Sequence, residues 1–180
     1  MNIEEGIKEK IKRDDISAFG DIYDSYGHKI YRYILGLLRS EKDARDILQN
    51  VFLRLFNKRK LLCWARNLEA YIFRVARNET IRFIKRHKKN RETSLEEISE
   101  ILLCEKPEAK NEITEEEKSF LNRAINRLPL YQREVIILKS FEDKSFREIS
   151  EILRISQNTA ASRYRYAIEK LRGYLGELER

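Results

Sequence analysis

Apolar residues recur at spacings of three and four along almost the whole chain, and the strict alternation of a half-buried strand does not occur. Each run predicts a helix with one buried and one solvated face. Asp14 or Asp15 is placed to cap a helix through Ile16, Phe19, Ile22 and Tyr23, and a second stripe follows through Ile30, Tyr33, Ile34 and Leu37. Ser40 with Asp43 resembles a capping box, in which side-chain oxygens satisfy orphan backbone N–H groups at a helix start. The helix behind it carries Ala44, Ile47, Leu48, Val51, Phe52 and Leu55 on its inner side, leaving Asp43, Asp46, Gln49 and Asn50 outside. A basic loop, Asn57 to Arg66, leads into a long helix from Asn67 whose inner stripe is Leu68, Ile72, Val75 or Ala76, Thr80 and Phe83.

The second half repeats the helical logic. Ser94-Leu95-Glu96-Glu97 predicts a short helix through Leu95, Ile98, Ile101 and Leu102, ended by Pro107. Thr114-Glu115-Glu116-Glu117 reads as another capping box, opening a stripe of Phe120, Leu121, Ala124, Ile125 and Leu128 that stops at Pro129. Val135, Ile136 and Leu138 form the core of the next helix. Ser145-Phe146-Arg147-Glu148 then caps a short helix facing inward with Phe146, Ile149, Ile152 and Leu153. Arg154-Ile155-Ser156 is a tight turn, and Ser156 is a natural N-cap for a last helix that buries Ala160, Tyr164, Ala167, Ile168 and Leu171.

The expected fold is all-α, with two small helical domains joined by an acidic linker and a helix-turn-helix in the C-terminal one. The domains are expected at residues 1–91 and 114–180, with the linker at 92–113. Six Gly and two Pro supply too little turn chemistry for a sandwich or barrel.

Charge sharpens this division. The chain carries a formal +7, yet residues 92–117 contain ten Glu against Lys106 and Lys110, a net −8, so the remainder carries +15. Such separation suits a protein that grips a polyanion while keeping its acidic part off the anion's path. A charged, solvated surface without a ligand is the plainer reading of the same numbers.

Several function classes lack their residues. Cys63 and Cys104 lie far apart, with no second Cys or His at ligand spacing, and His28 and His87 are isolated, so neither a disulfide framework nor a metal site is expected. No cofactor motif is present. There is no paired His-carboxylate cluster, no Gly-rich phosphate loop and no nucleophile beside a base, so an enzyme is not expected. Without a signal-peptide pattern or an apolar run of ~20 residues, no membrane insertion is expected, and the cytoplasm is the default location.

Two basic helices carry the candidate chemistry. On the last helix, Gln157, Asn158, Ala161, Ser162 and Arg165 face outward. Small and polar residues on first turns let a helix enter the major groove, where Asn and Arg pair with base edges. Arg147, Arg163, Lys170 and Arg172 are placed to hold phosphates, although Arg163 could instead pair with Glu148 across the motif. A helical hairpin with a polar surface is the bland alternative. On the helix from Asn67, the outer face shows Arg74, Arg77, Asn78, Arg82 and Lys85, extended by Arg86, Lys88, Lys89 and Arg91. Trp64 and Tyr71 stand at its start, beside Lys58-Arg59-Lys60. Cations track phosphates while aromatic faces stack on unpaired bases, a mixture suited to opened DNA. Equally, Trp64 and Tyr71 could be core residues.

With both modules placed, the chain resembles a bacterial RNA polymerase sigma factor of the extracytoplasmic-function class, over roughly residues 15–91 and 114–175. Asp43-Ala44-Arg45-Asp46-Ile47-Leu48-Gln49-Asn50-Val51-Phe52 is similar to the family's polymerase-binding helix. Ala70-Tyr71-Ile72-Phe73-Arg74-Val75-Ala76-Arg77-Asn78 is similar to its promoter-melting helix. Leu128-Pro129 with Gln132-Arg133-Glu134-Val135, then Phe146 to Leu171, is similar to its upstream-element reader. The chain departs from the common pattern at Arg82, often Asp in relatives, at Ala161, often Lys, and at Asn50, often Glu.

The resemblance implies core RNA polymerase and promoter DNA as partners. Asp43, Asp46, Gln49 and Asn50 would dock on the clamp helices of the β′ subunit. Trp64, Tyr71, Arg74, Arg77, Asn78, Arg82, Lys85 and Arg86 would capture and hold the minus-ten element. Arg147, Gln157, Asn158, Ser162, Arg163, Arg165 and Tyr166 would read the minus-thirty-five element, with the C-terminal module on the β-flap. Many relatives are held off by an anti-sigma factor, which becomes a further candidate partner. About 22 extended residues span up to ~75 Å, enough to bridge two promoter elements ~50 Å apart. A stand-alone helix-turn-helix regulator, with an N-terminal dimerisation or sensing domain, is the alternative.

Overall fold

The computed structural model describes residues 3–88 and 114–176 of the chain. These form two compact units, with the division falling inside the acidic segment. The described residues are helices and their connections, with no strand among them. The helix expected from Ser94 to Leu102, and the cations Lys89 and Arg91, lie outside the described residues.

The N-terminal unit is built from α1 (Ile3–Lys12), α2 (Ala18–Leu38), α3 (Glu41–Asn57), α4 (Arg59–Cys63) and α5 (Leu68–Lys88). Helix α1 was not foreseen. It buries Ile7 and Ile11 and packs against α2 and α4. Its Glu4 carboxylate also accepts from the backbone N–H groups of Leu68 and Glu69 at 3.3 Å each, at the start of α5. The two stripes expected before Ser40 are one continuous helix, α2, and its start is later than either Asp14 or Asp15 implied. Asp14 adopts φ 59°, and the Asp15 carboxylate instead accepts from the Ser17 N–H at 2.9 Å. Ile16 and Tyr23, expected inside, are 71% and 55% exposed, because the core-facing stripe runs through Ala18, Ile22, Tyr26 and Ile30.

Ser40 caps α3 as expected, its hydroxyl accepting from the Asp43 N–H at 3.3 Å. Ala44, Ile47, Val51 and Leu55 are buried, with Leu48 and Phe52 half-buried at the rim. The basic loop contains the short helix α4, whose Leu62 is fully buried and pins it to the unit. Asn67 opens α5 by accepting from the Ala70 N–H at 2.8 Å. Of the two alternatives on its inner stripe, Ala76 is buried and Val75 is half-buried. Phe73, absent from the expected stripe, is fully buried with its ring against Tyr33 at 5.6 Å, edge to face. Thr80 survives in this apolar layer because its hydroxyl donates to the Ala76 carbonyl at 2.8 Å.

The C-terminal unit comprises α6 (Glu115–Arg127), α7 (Leu130–Ile136), a π-helical turn Ile137–Phe141, α8 (Phe146–Leu153) and α9 (Gln157–Gly176). Ala124, Ile125 and Leu128 meet Ile136, Ala167 and Leu171 in its core. Gln132, Arg133 and Glu134 are buried as well. Arg133 justifies its burial by donating from Nη2 to the carbonyls of Asn126 (2.7 Å) and Leu128 (3.1 Å), capping the end of α6.

Candidate nucleic-acid interface

The helix-turn-helix is built by three caps. Ser145 and Glu148 form a full capping box: the Ser145 hydroxyl accepts from the Glu148 N–H, and the Glu148 carboxylate accepts from the Ser145 N–H at 2.8 Å. Burial raises the pKa of the Glu148 carboxyl, but the Ser145 hydrogen bonds together with the charges of Lys144 and Lys139 outweigh it and hold the group below its ordinary value. Helix α8 ends at Arg154 in the left-handed region, φ 55°, where its N–H and that of Ile155 both donate to the Ser150 carbonyl. Ser156 caps α9 by accepting from the Thr159 N–H at 3.0 Å. The turn is therefore set by backbone hydrogen bonds and the Ser156 cap, and the first turn of α9 buries Ala160 while leaving Gln157 and Asn158 exposed.

On α9, Gln157, Asn158, Arg165 and Tyr166 are exposed. Ser162 is half-buried and its hydroxyl donates back to the Thr159 carbonyl at 3.1 Å. Arg147 stands on α8, facing Glu151 at 3.6 Å. Glu148 is committed to its cap, and the Arg163 guanidinium lies 5.4 Å from the ring centre of Tyr131 on α7. Tyr131 is half-exposed and was absent from the sequence-based set; only the packing of α7 on α9 brings it beside Arg163.

On the N-terminal unit, Asp46, Gln49 and Asn50 are exposed along one face of α3 and Asp43 is half-buried at its start. Leu53 and Phe56 continue that face and are 54% and 39% exposed. Neither was given a role from the sequence, although the spacing of Leu53 from Gln49 and Asn50 places it on their face. Trp64 is 86% exposed, so it is not a core residue. Tyr71 is half-buried with the Arg74 guanidinium 5.8 Å from its ring centre. Asn78, Lys85 and Arg86 are exposed and Arg77 half-buried. Arg82 turns sideways, its Nη1 donating to both carboxylate oxygens of Glu79 at 2.8 and 2.7 Å. Among the described residues, no His, Cys, Asp and Glu group could hold a metal ion, and no helix is long and apolar enough to cross a membrane.

A basic helix flanked by an exposed tryptophan, with a separately capped helix-turn-helix, suits a protein that meets nucleic acid through two modules. The sigma-70 region 2 family matches residues 22–90, and the sigma-70 region 4 family matches residues 121–171. The chain is 30% identical over 186 residues to the ECF RNA polymerase sigma factor SigW of Bacillus subtilis, covering 99% of each chain. It is 27% identical over 139 residues to SigM of the same organism, covering 76% of this chain and 82% of that one. The fold is shared with the sigma factor RpoE of Bartonella quintana (TM-score 0.71, 21% identity, 89% and 98% of the chains). It is shared equally with CnrH (TM-score 0.71, 18% identity, 98% and 99%). The chain belongs to the extracytoplasmic-function sigma factors of the sigma-70 family. It is an RNA polymerase sigma factor, which binds core polymerase and directs promoter-specific initiation; the stand-alone regulator is not favoured.

Proposed function

We propose that the chain acts as an adaptor without catalysis of its own, with its three outward faces divided among polymerase, minus-ten DNA and minus-thirty-five DNA. The observation that carries this reading is the face of α3. Asp46, Gln49 and Asn50 are exposed in register, serve no core and are continued by Leu53. A polar start and an apolar end on one helix suit a protein partner better than DNA, since carboxylates repel phosphates. That partner is the clamp-helix coiled coil of the polymerase β′ subunit, contacted by Asp43, Asp46, Gln49 and Asn50.

Trp64, Tyr71, Arg74, Arg77, Asn78, Lys85 and Arg86 then serve the minus-ten element, with Trp64 free to stack on an unpaired base. Arg147, Gln157, Asn158, Ser162, Arg163, Arg165 and Tyr166 serve the minus-thirty-five element, with their unit on the β-flap. Residues 1–91 and 114–180 are the two working domains, joined in sequence by the acidic residues 92–113. The site of action is the cytoplasm, where polymerase and promoter are. The RpoE structure is a complex with the anti-sigma factor NepR and the CnrH structure one with the cytosolic domain of CnrY. A protein inhibitor is accordingly a candidate partner here.

The test compares wild type with Asp46→Arg combined with Gln49→Ala, by pull-down with core polymerase and run-off transcription. The double variant should keep its helical circular dichroism and lose both core binding and promoter-directed transcripts. Undiminished transcription would overturn the assignment of α3.

A further inference from the structure

Glu79 lies on α5 with its side chain only 12% exposed, and two arginines converge on it. Arg54, in the last turn of α3, reaches across the helix pair to its Oε1. Arg82, one turn further along α5, donates to both of its oxygens at 2.8 and 2.7 Å. The two arginine side chains are 38% and 40% exposed, so the pair of ion contacts lies at the edge of the unit while the carboxylate itself is largely covered.

An isolated surface ion pair of this kind carries little weight. A carboxylate largely removed from water differs, because leaving it without partners is strongly unfavourable. A DNA phosphate that recruited Arg82 would have to strip it from Glu79. Lys85 and Arg86, on the next turn, are exposed and meet no comparable carboxylate among the described residues.

We propose that Glu79 is a positioning residue: it ties α3 to α5 through Arg54 and holds Arg82 out of the contacts to the DNA backbone. Arg82 thus does not belong among the phosphate-holding cations of α5, although its sequence position puts it there. The helix proposed to face polymerase and the helix proposed to face the promoter share one carboxylate, so their relative placement is set before either partner arrives. This rests on the reading of α5 as the promoter-facing helix.

The experiment measures holoenzyme binding to a promoter fragment across a salt series, where each lost phosphate contact flattens the log–log slope by ~0.7–0.9. Arg77→Gln and Lys85→Gln establish that α5 faces DNA, each flattening the slope by about one contact. Arg82→Gln should leave the slope of wild type unchanged. Glu79→Gln should steepen it by about one contact, because Arg82 is released, and Glu79→Gln combined with Arg82→Gln should return it to the wild-type value. A steepening that persists in the double variant, or a flattening by Arg82→Gln alone, would overturn the proposal. If neither Arg77→Gln nor Lys85→Gln changes the slope, the promoter-facing reading of α5 fails and the inference falls with it. Core-polymerase binding by Glu79→Gln, measured alongside, should weaken several-fold, because the ion pair from Arg54 that ties α3 to α5 is lost with the carboxylate; binding equal to wild type would overturn that part of the proposal.

Discussion

The Glu4 carboxylate meets the backbone N–H of Leu68 at 3.3 Å, and that of Glu69 at the same distance, closing the N-terminus of α5 with a side chain from α1. Asn67 supplies a local cap to the Ala70 N–H, so the helix carrying the basic face is anchored from two sides. The hydroxyl of Tyr26 is hydrogen-bonded to the same Glu4 carboxylate, and burial, then the charges of Glu4 and Glu69, pushes the Tyr26 phenol well above its ordinary pKa. An anion at a helix N-terminus offsets orphan donors and the helix dipole together. Glu4→Ala should destabilise the N-terminal unit by about 1 kcal/mol. Amide exchange at Leu68 and Glu69 should quicken while α9 is unaffected. Unchanged protection at both amides would show that Glu4 does not cap α5.

Arg133 performs a comparable task at the other end of a helix. Its guanidinium satisfies the Asn126 and Leu128 carbonyls at the end of α6, where the last carbonyls of a helix have no intrahelical partner. Arg133→Met keeps the stem and removes the donors, at an expected loss of about 2 kcal/mol in a urea titration of the C-terminal unit. A loss below about 0.5 kcal/mol would mean that water replaces the guanidinium.

The capping box of α8 makes that helix sensitive to acid. Glu148 is held below its ordinary value of 4.5, burial opposing and the Ser145 hydrogen bonds with the Lys144 and Lys139 charges prevailing. A depressed folded value means that the stabilisation is fully present above the ordinary value and is lost as pH falls through the folded one. The C-terminal unit should therefore weaken below about pH 4.5, and Glu148→Gln should be less stable at neutral pH but flatter in acid. Parallel pH profiles for the two proteins would contradict this.

Asn158 and Arg165 stand exposed about two turns apart on α9. Replacing either with Ala should change the preference at the upstream element by ~1–3 kcal/mol for a lost base contact, read from transcription over a randomised promoter library. Tyr131→Leu should act differently, because Tyr131 only backs Arg163 at 5.4 Å. It should weaken all upstream sequences alike, and a changed base preference would show that Tyr131 itself reads DNA.

Much of this molecule was legible one residue at a time. Helical spacing and the caps at Ser40, Ser145 and Ser156 follow from local stereochemistry, and so do the charge separation and the helix-turn-helix, since each depends on residues within a turn or two of each other. Other features depend on which helices meet. Trp64 is an apolar residue in a basic loop, and sequence alone could not choose between core and surface; burying Leu62 instead leaves it outside. Ile16 and Tyr23 fit a helical stripe, yet Ile16 precedes the start of α2 and the buried face of α2 runs through Ala18, Ile22, Tyr26 and Ile30, leaving both exposed. Arg82 reads as one more cation until Glu79 and Arg54 are seen beside it, 25 positions apart on α3 and α5. Glu4 lies 64 positions from the amide it caps. Local pattern specifies elements because hydrogen bonds within a helix are short-range; partners across helices are chosen by packing, which no single segment encodes.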